Sequence, residues 1–205
     1  MSNKIEQEAK FYIRDLAALE ERLDALGATR IQPLTLEKNL RFDTPDRRLS
    51  ACYQALRLRQ DRVCRLTFKD ASDPLAQVSA RRELEVEVSD LETAAAILNA
   101  LGFEICVRYE KYRAAYRMGE VEVSLDEMPF GDFCEIEGPN PASIEQAAEM
   151  LGLDWNARSK LSYLVLFAEL KRNLGLEISD LTFEAFEQLQ ISARDLGLSA
   201  ADSIS

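Results

Sequence analysis

The feature that most constrains this chain is an alternation of charged and apolar residues that returns in one strand-like segment after another. In "KIEQEAKFYI", Glu6, Glu8 and Lys10 share one face and Ile5, Phe11 and Ile13 the other, because strand side chains alternate with a period of two. The same parity sets Arg57 and Arg59 against Leu56 and Leu58, and Arg65, Thr67 and Lys69 against Cys64, Leu66 and Phe68. It sets Arg81, Glu83, Glu85 and Glu87 against Leu84, Val86 and Val88, with Arg82 a rival to Arg81 for the charged face. Lys111 and Arg113 oppose Tyr112 and Ala114; Glu120, Glu122, Ser124 and Asp126 oppose Val121, Val123 and Leu125; Glu135 and Glu137 oppose Cys134 and Ile136.

One such strand is ordinarily a sheet with a solvated face. About eight of them, with acids and bases grouped in blocks, point instead to a closed antiparallel barrel, whose interior holds side chains or one small ligand. Segments such as "DLAALEERLDALGA" and "SDLETAAAILNALG" have helical apolar spacing, with Asp15 and Ser89 or Asp90 as caps and Gly27 and Gly102 as stops. Laid on the apolar faces, they turn the charged faces into a lumen. The expected fold class is α+β: an eight-stranded antiparallel β-barrel forming a tunnel, its outer face covered by amphipathic helices.

The 205 residues are 47% hydrophobic and 30% charged, enough for one sizeable core. A net charge of −11 argues against a nucleic-acid surface. No apolar run reaches a membrane span and "MSNKIEQEAK" has no signal-peptide core, so a cytoplasmic location is expected. Cys52, Cys64, Cys106 and Cys134 form no C-x-x-C pair and read as reduced, mostly buried thiols. Histidine is absent. Chemistry must then run on carboxylates, Lys, Arg and Tyr, and a metal would be a hard ion such as Mg²⁺ or Mn²⁺.

Three E-x-E pairs, Glu6/Glu8, Glu83/Glu85 and Glu135/Glu137, each place two carboxylates about 7 Å apart on one face. Gathered in a lumen they could hold such a metal. Facing them, Lys10, Arg57, Arg59, Arg65, Lys69, Arg81, Lys111 and Arg113 would repel one another unless a polyanion joined them. A metal-bridged small-molecule triphosphate satisfies both sets.

At this point the residues resemble a known family. "EQEAK" is similar to the E-x-E-x-K signature of the CYTH superfamily, the triphosphate tunnel metalloenzymes, and the likeness runs on through "FDT", "ALRLR", "LTFK", "RRELEVEV", "EKYR", "SLDEMPFGDFCEIEG" and "RSKLSY". The resemblance spans roughly residues 4 to 171 and implies a barrel that binds triphosphate with Mg²⁺ or Mn²⁺. It implies Glu6, Glu8 and a carboxylate of the Glu135/Glu137 pair as metal ligands, Asp126 supporting the metal or the attacking water, and Glu83 and Glu85 completing the acidic wall. Lys10, Arg57, Arg59, Lys69, Lys111 and Arg113 would grip phosphates, and Lys160 would stand at the tunnel mouth.

The implied activity is metal-dependent triphosphate hydrolysis by activated water, inorganic tripolyphosphate favoured, with class IV adenylyl cyclase as the alternative. Thiamine-specific relatives carry an aromatic residue where this chain has Ala55, which disfavours thiamine triphosphate; a binding module without turnover is a further rival. Residues 1–171 form the expected tunnel domain. Residues 172–205 read as a helical extension, with Leu181, Phe183, Phe186 and Leu189 on one helix face, open to packing on the barrel, closing a tunnel mouth or pairing in a homodimer. "SAADSIS" is expected to fray.

Overall fold

The computed structural model describes residues 4–71 and 78–202, with side chains from residue 7 onward; the loop expected over Ser72 to Gln77 lies outside the described residues. Eight strands alternate with helices: β1 (Lys4–Ile13), α1 (Leu16–Ala25), β2 (Thr29–Asp43), α2 (Arg48–Ala51), β3 (Ala55–Gln60), β4 (Cys64–Lys69), β5 (Ser79–Val88), α3 (Leu91–Ala100), β6 (Glu104–Met118), β7 (Val121–Met128), β8 (Gly131–Glu137), α4 (Pro141–Met150), a 3₁₀ turn (Trp155–Ala157), α5 (Tyr163–Leu174) and α6 (Phe183–Phe186). The strands close in the order β1-β5-β4-β3-β2-β6-β7-β8, every neighbouring pair antiparallel. β1 closes the ring in two halves. Its first residues pair with β5, its last with β8, and Glu8 belongs to both ladders.

The helices begin where caps allow. The Asp15 carboxylate accepts from the Ala18 amide at 2.9 Å, Asp90 from Thr93 at 2.7 Å, and Asn140, followed by Pro141, from Ser143 at 2.9 Å. These side chains satisfy backbone donors that a first helical turn leaves open. Gly131 begins β8 at φ 132°, where an added Cβ would stand 2.7 Å from the Tyr12 ring; only glycine meets both conditions.

The apolar faces are buried outside the barrel, as the parity requires. Phe11, Ile13, Val123, Leu125 and Ile136 pack under Leu19 and Leu23 of α1 and Ile144 of α4. Phe42, Leu56 and Leu58 pack with Leu49 and Leu98. A third cluster is not on an outward face: Phe133, which shares the parity of Glu135, and Tyr109, which shares that of Lys111, pack with Phe130, with Tyr163, Leu166, Phe167 and Leu170 of α5 and with Leu181, Phe186 and Leu196 of the tail. The outer face of β5 is covered least, with Val86 57% exposed.

Several elements depart from the sequence reading. β2 starts at Thr29, six residues before the strand-like "TLEKNLRFD" that opens at Thr35, and carries register shifts around Gln32 and Thr35; the irregularity is where Pro33, which has no amide to donate, interrupts the ladder. The expected terminal helix is reduced to α6. Beyond it the Asp195 carboxylate accepts from the Ser192 amide at 2.8 Å and hydroxyl at 2.6 Å, a local turn that competes with helix. Within "SAADSIS", Ala201 is buried and donates to the Tyr12 carbonyl at 2.9 Å. Asp202 accepts from the Arg14 and Asp15 amides at 2.8 and 3.0 Å, so the end of the described chain is tied to β1 rather than frayed. Of the cysteines only Cys134 is buried; Cys52 is exposed at the end of α2.

Ile136 is fully buried under α4. Ile136→Ala should lower stability by about 2–4 kcal/mol through lost burial and the cavity left behind, read as a lower urea midpoint at unchanged slope; an unchanged midpoint would contradict the assigned outer core.

Candidate functional site

The charged faces of all eight strands converge inside the barrel, where opposite charges meet by register. Lys10 is paired with Glu135 across β1–β8, Lys69 with Glu83 and Thr67 with Glu85 across β4–β5, and Arg113 with Asp126 across β6–β7. Cross-strand neighbours lie within side-chain reach. Lys10 Nζ stands 2.7 Å from Glu135, Lys69 Nζ 2.9 Å from Glu83, and Arg81 3.5 Å from Glu8. Glu85 lies 3.6 Å from Arg65 and 3.7 Å from Arg59, and accepts from the Thr67 hydroxyl at 2.7 Å.

Asp126 has no exposed surface. It accepts from Arg113 Nε and Nη2, both at 2.5 Å, from Lys111 at 3.1 Å and from the Tyr163 hydroxyl at 2.6 Å. Arg113 also reaches Glu135. Burial alone would push the Glu135 carboxyl up, but Lys10 and Arg113 outweigh it and hold the group well below the usual carboxylate range. Burial likewise opposes the Arg113 charge, and Asp126 and Glu135 reverse it, holding the guanidinium firmly charged.

β2 contributes a group that the sequence reading passed over. Glu37 and Asn39 are each 1% exposed. Lys111 and Arg59 approach Glu37 at 3.6 and 3.8 Å, yet neither Glu37 oxygen, and neither polar atom of the Asn39 side chain, has a hydrogen-bond partner. Arg57 donates to the Tyr109 hydroxyl at 3.3 Å. The signal was present in "TLEKNLRFD", where Glu37, Asn39, Arg41 and Asp43 alternate with Leu36, Lys38, Leu40 and Phe42; the charged Lys38 on the apolar face masked it. Asp43 itself is structural, its carboxylate accepting from the Thr44, Leu49 and Ser50 amides at 2.8, 2.9 and 3.0 Å.

Most of the expected site residues are thus brought together. Lys10, Arg57, Arg59, Arg65, Lys69, Arg81, Lys111 and Arg113 are all inside or partly inside the barrel, and Arg81 rather than the exposed Arg82 points inward. Lys160 is exposed beside Ser159, whose amide donates to the Lys10 carbonyl at 2.7 Å. Asp126 is engaged by four donors, an arrangement that fixes Lys111 and Arg113 more directly than it would serve a metal or a water. Glu6 lies opposite Arg81 in register, its side chain outside the described residues.

For a metal, Glu8 stands directly opposite Glu137 across β1–β8, with Glu135 two positions along. This all-oxygen donor set suits a hard divalent ion, although among the described residues no three acidic side chains already converge as a cage. No helix of the described residues is long and apolar enough to cross a membrane.

A closed antiparallel tunnel lined by facing acids and bases defines a class of small-ligand barrel. The CYTH domain model matches residues 4–154, and the chain belongs to that family. It is 31% identical over 136 residues, 65% of this chain and 76% of the relative, to a Methanocaldococcus jannaschii protein provisionally named an adenylate cyclase. A solved structure from Vibrio parahaemolyticus, also provisionally described as an adenylate cyclase, superposes with a TM-score of 0.71 at 20% identity, over 82% of this chain and 99% of that one. A Hippeastrum protein described as having a dominant triphosphatase activity superposes with a TM-score of 0.60 at 22% identity, over 80% and 95% of the two chains.

Glu37 supplies a pH test. Burial raises its carboxyl, but Lys111, Arg113, Arg59 and Arg57 together bring it below the ordinary glutamate value. A depressed folded-state pKa gives stability that is full above the unfolded value and is lost as pH falls through the folded one. The urea midpoint of wild type relative to Glu37→Gln should therefore be highest above about pH 5 and fall on acidification. A gap independent of pH would contradict the electrostatic account of Glu37.

Proposed function

We propose that this barrel hydrolyses a phosphoanhydride bond of a triphosphate, with inorganic tripolyphosphate the favoured substrate and Mg²⁺ or Mn²⁺ as cofactor. The observation that carries this reading is the two-walled lumen, in which cations sufficient for a polyphosphate gather and most of them, Lys10, Arg59, Arg65, Lys69, Arg81, Lys111 and Arg113, meet a carboxylate on a facing strand. Lys10, Arg57, Arg59, Arg65, Lys69, Arg81, Lys111 and Arg113 would take the phosphate oxygens, the guanidinium groups as two-pronged donors. Glu83 and Glu85 would hold Lys69, Arg65 and Arg59 in register, and Asp126 would do the same for Lys111 and Arg113.

Glu6, Glu8, Glu135 and Glu137 would hold the divalent ion, which supplies Lewis acidity toward a phosphoryl oxygen and toward water. Water adds to the terminal phosphorus, the bridging P–O bond breaks, and diphosphate leaves with the electron pair; the proton passes to a phosphate oxygen or to solvent. The barrel contributes mainly fixed charge around the spreading negative charge of the transition state.

A second reading is favoured by one observation. Tripolyphosphate is almost purely a hydrogen-bond acceptor, whereas the Glu37 carboxylate, near Lys111 and Arg59 but accepting no hydrogen bond, has room for donors. Ribose hydroxyls or a base amine would provide them, which supports ATP as substrate and agrees with the names of the relatives, as adenylyl cyclase or as an ATP-directed hydrolase.

Incubation with Mg²⁺ or Mn²⁺ and either tripolyphosphate or ATP separates the two. The first reading expects phosphate from tripolyphosphate and no cyclic AMP; cyclic AMP with diphosphate from ATP would establish the second, and ligand binding without any product would overturn both. Glu8→Gln should reduce turnover at least about a hundredfold, the scale on which positioned charge acts, while the circular dichroism spectrum stays that of a folded barrel. Full activity in this variant would remove the acidic wall from the mechanism.

A further inference from the structure

The chain leaves the barrel at β8, crosses α4 and returns to one end of the lumen through Ser159–Tyr163. Tyr163 is the first residue of α5, after its Ser162 cap. Long side chains in a helix lean toward its N-terminus, so this ring is directed off the end of α5. Its neighbours include three charged side chains of the lumen. The hydroxyl donates to Asp126 Oδ2 at 2.6 Å. The ring face lies 4.2 Å from the Lys10 ammonium and 5.4 Å from that of Lys111. Asp126 in turn holds Lys111 and Arg113.

The ring is itself clamped. Phe133 meets it edge-on at 5.1 Å between centroids and Phe130 lies 6.4 Å away, and the residue is 7% exposed. The same segment also touches Lys10 through backbone: Ser159 donates to its carbonyl at 2.7 Å, and its ammonium donates to the Leu161 carbonyl at 3.4 Å. Burial and the Asp126 charge push the Tyr163 hydroxyl well above its usual range, so it remains a donor. A tyrosine that served only as packing would not need both its hydroxyl and its face engaged by charges.

We propose that Tyr163 is a positioning residue for the tunnel: its hydroxyl orients the Asp126 carboxylate, and its face orients the Lys10 and Lys111 ammonium groups. The covering helix α5 thereby sets the geometry of cations contributed by β1 and β6. The proposal rests on the reading that this lumen binds and turns over a triphosphate, and its two halves predict different kinetic effects. Without the hydroxyl, Asp126 keeps Arg113 and Lys111, so ground-state binding persists; Oδ2 loses one of its three donors, and the cation placement that matters in the transition state loosens. Without the ring, Lys10 and Lys111 lose the surface on which they rest, and binding itself weakens.

The test compares Tyr163→Phe, which keeps the ring, with Tyr163→Leu, which does not, in steady-state hydrolysis of tripolyphosphate with Mg²⁺. Tyr163→Phe should lose about tenfold in kcat, the scale of one hydrogen bond to a charged group, with KM within about twofold. Tyr163→Leu should lose kcat similarly and raise KM about fivefold. A kcat for Tyr163→Phe within twofold of wild type overturns the proposal, as does loss in both variants that only follows the fraction folded. If wild type binds tripolyphosphate but does not hydrolyse it, the reading as a hydrolase fails separately. The positioning role is then decided by calorimetric affinity: Tyr163→Leu weaker by about fivefold and Tyr163→Phe unchanged supports it, and equal affinities overturn it.

Discussion

A carboxylate or ammonium removed from water costs several kcal/mol unless an opposite charge meets it with good geometry, and this barrel encloses both kinds on facing strands. The register supplies the meeting points: Lys10 with Glu135, Lys69 with Glu83, Arg113 with Asp126. Slipping any strand by one residue would turn its charges into the outer apolar core and its oils into the lumen. The charge pairing and the outer packing therefore demand the same register, and the caps, bulges and covering helices all serve it.

This arrangement also explains how the lumen can be both stable and reactive. Carboxylates and cations neutralise each other on facing strands, so under the proposed function a divalent ion that took the carboxylates would free cations, and a triphosphate that took the cations would free carboxylates. Each ligand would then prepare the other's site. Glu37 and Asn39 stand apart, buried without hydrogen-bond partners, and mark the wall where a ligand bearing donors would differ from one that bears only phosphate.

Most of this was legible in sequence because parity is a strong signal wherever a strand has one wholly apolar face. It located the inward faces of β1 and β3 to β8, and it favoured Arg81 over Arg82, an assignment that the 3.5 Å contact of Arg81 with Glu8 supports. It failed on β2, where Lys38 sits on the apolar face and Pro33 breaks the ladder, and so Glu37 and Asn39 were missed. Tyr163 closes the family-like "RSKLSY", but its role depends on a return of the chain to Asp126, 37 residues away, which no local pattern records. The terminal helix was overestimated because apolar spacing at Leu181, Phe183, Phe186 and Leu189 fits a helix, while the turn made by Ser192 and Asp195 and the bridges of Leu181 to Tyr109 and of Ala200 to Tyr12 are tertiary outcomes.

The central claim is that the acidic and basic walls exchange partners when ligands bind. Its most direct test is calorimetry with a non-hydrolysable imido analogue of tripolyphosphate, with and without Mg²⁺, on wild type and on Glu8→Gln. The variant accounts for the complex that Mg²⁺ forms with the analogue in solution. The account predicts that Mg²⁺ strengthens binding to wild type by about tenfold more than to the variant, within the usual range of coupling between sites. An equal effect of Mg²⁺ on both proteins would contradict it.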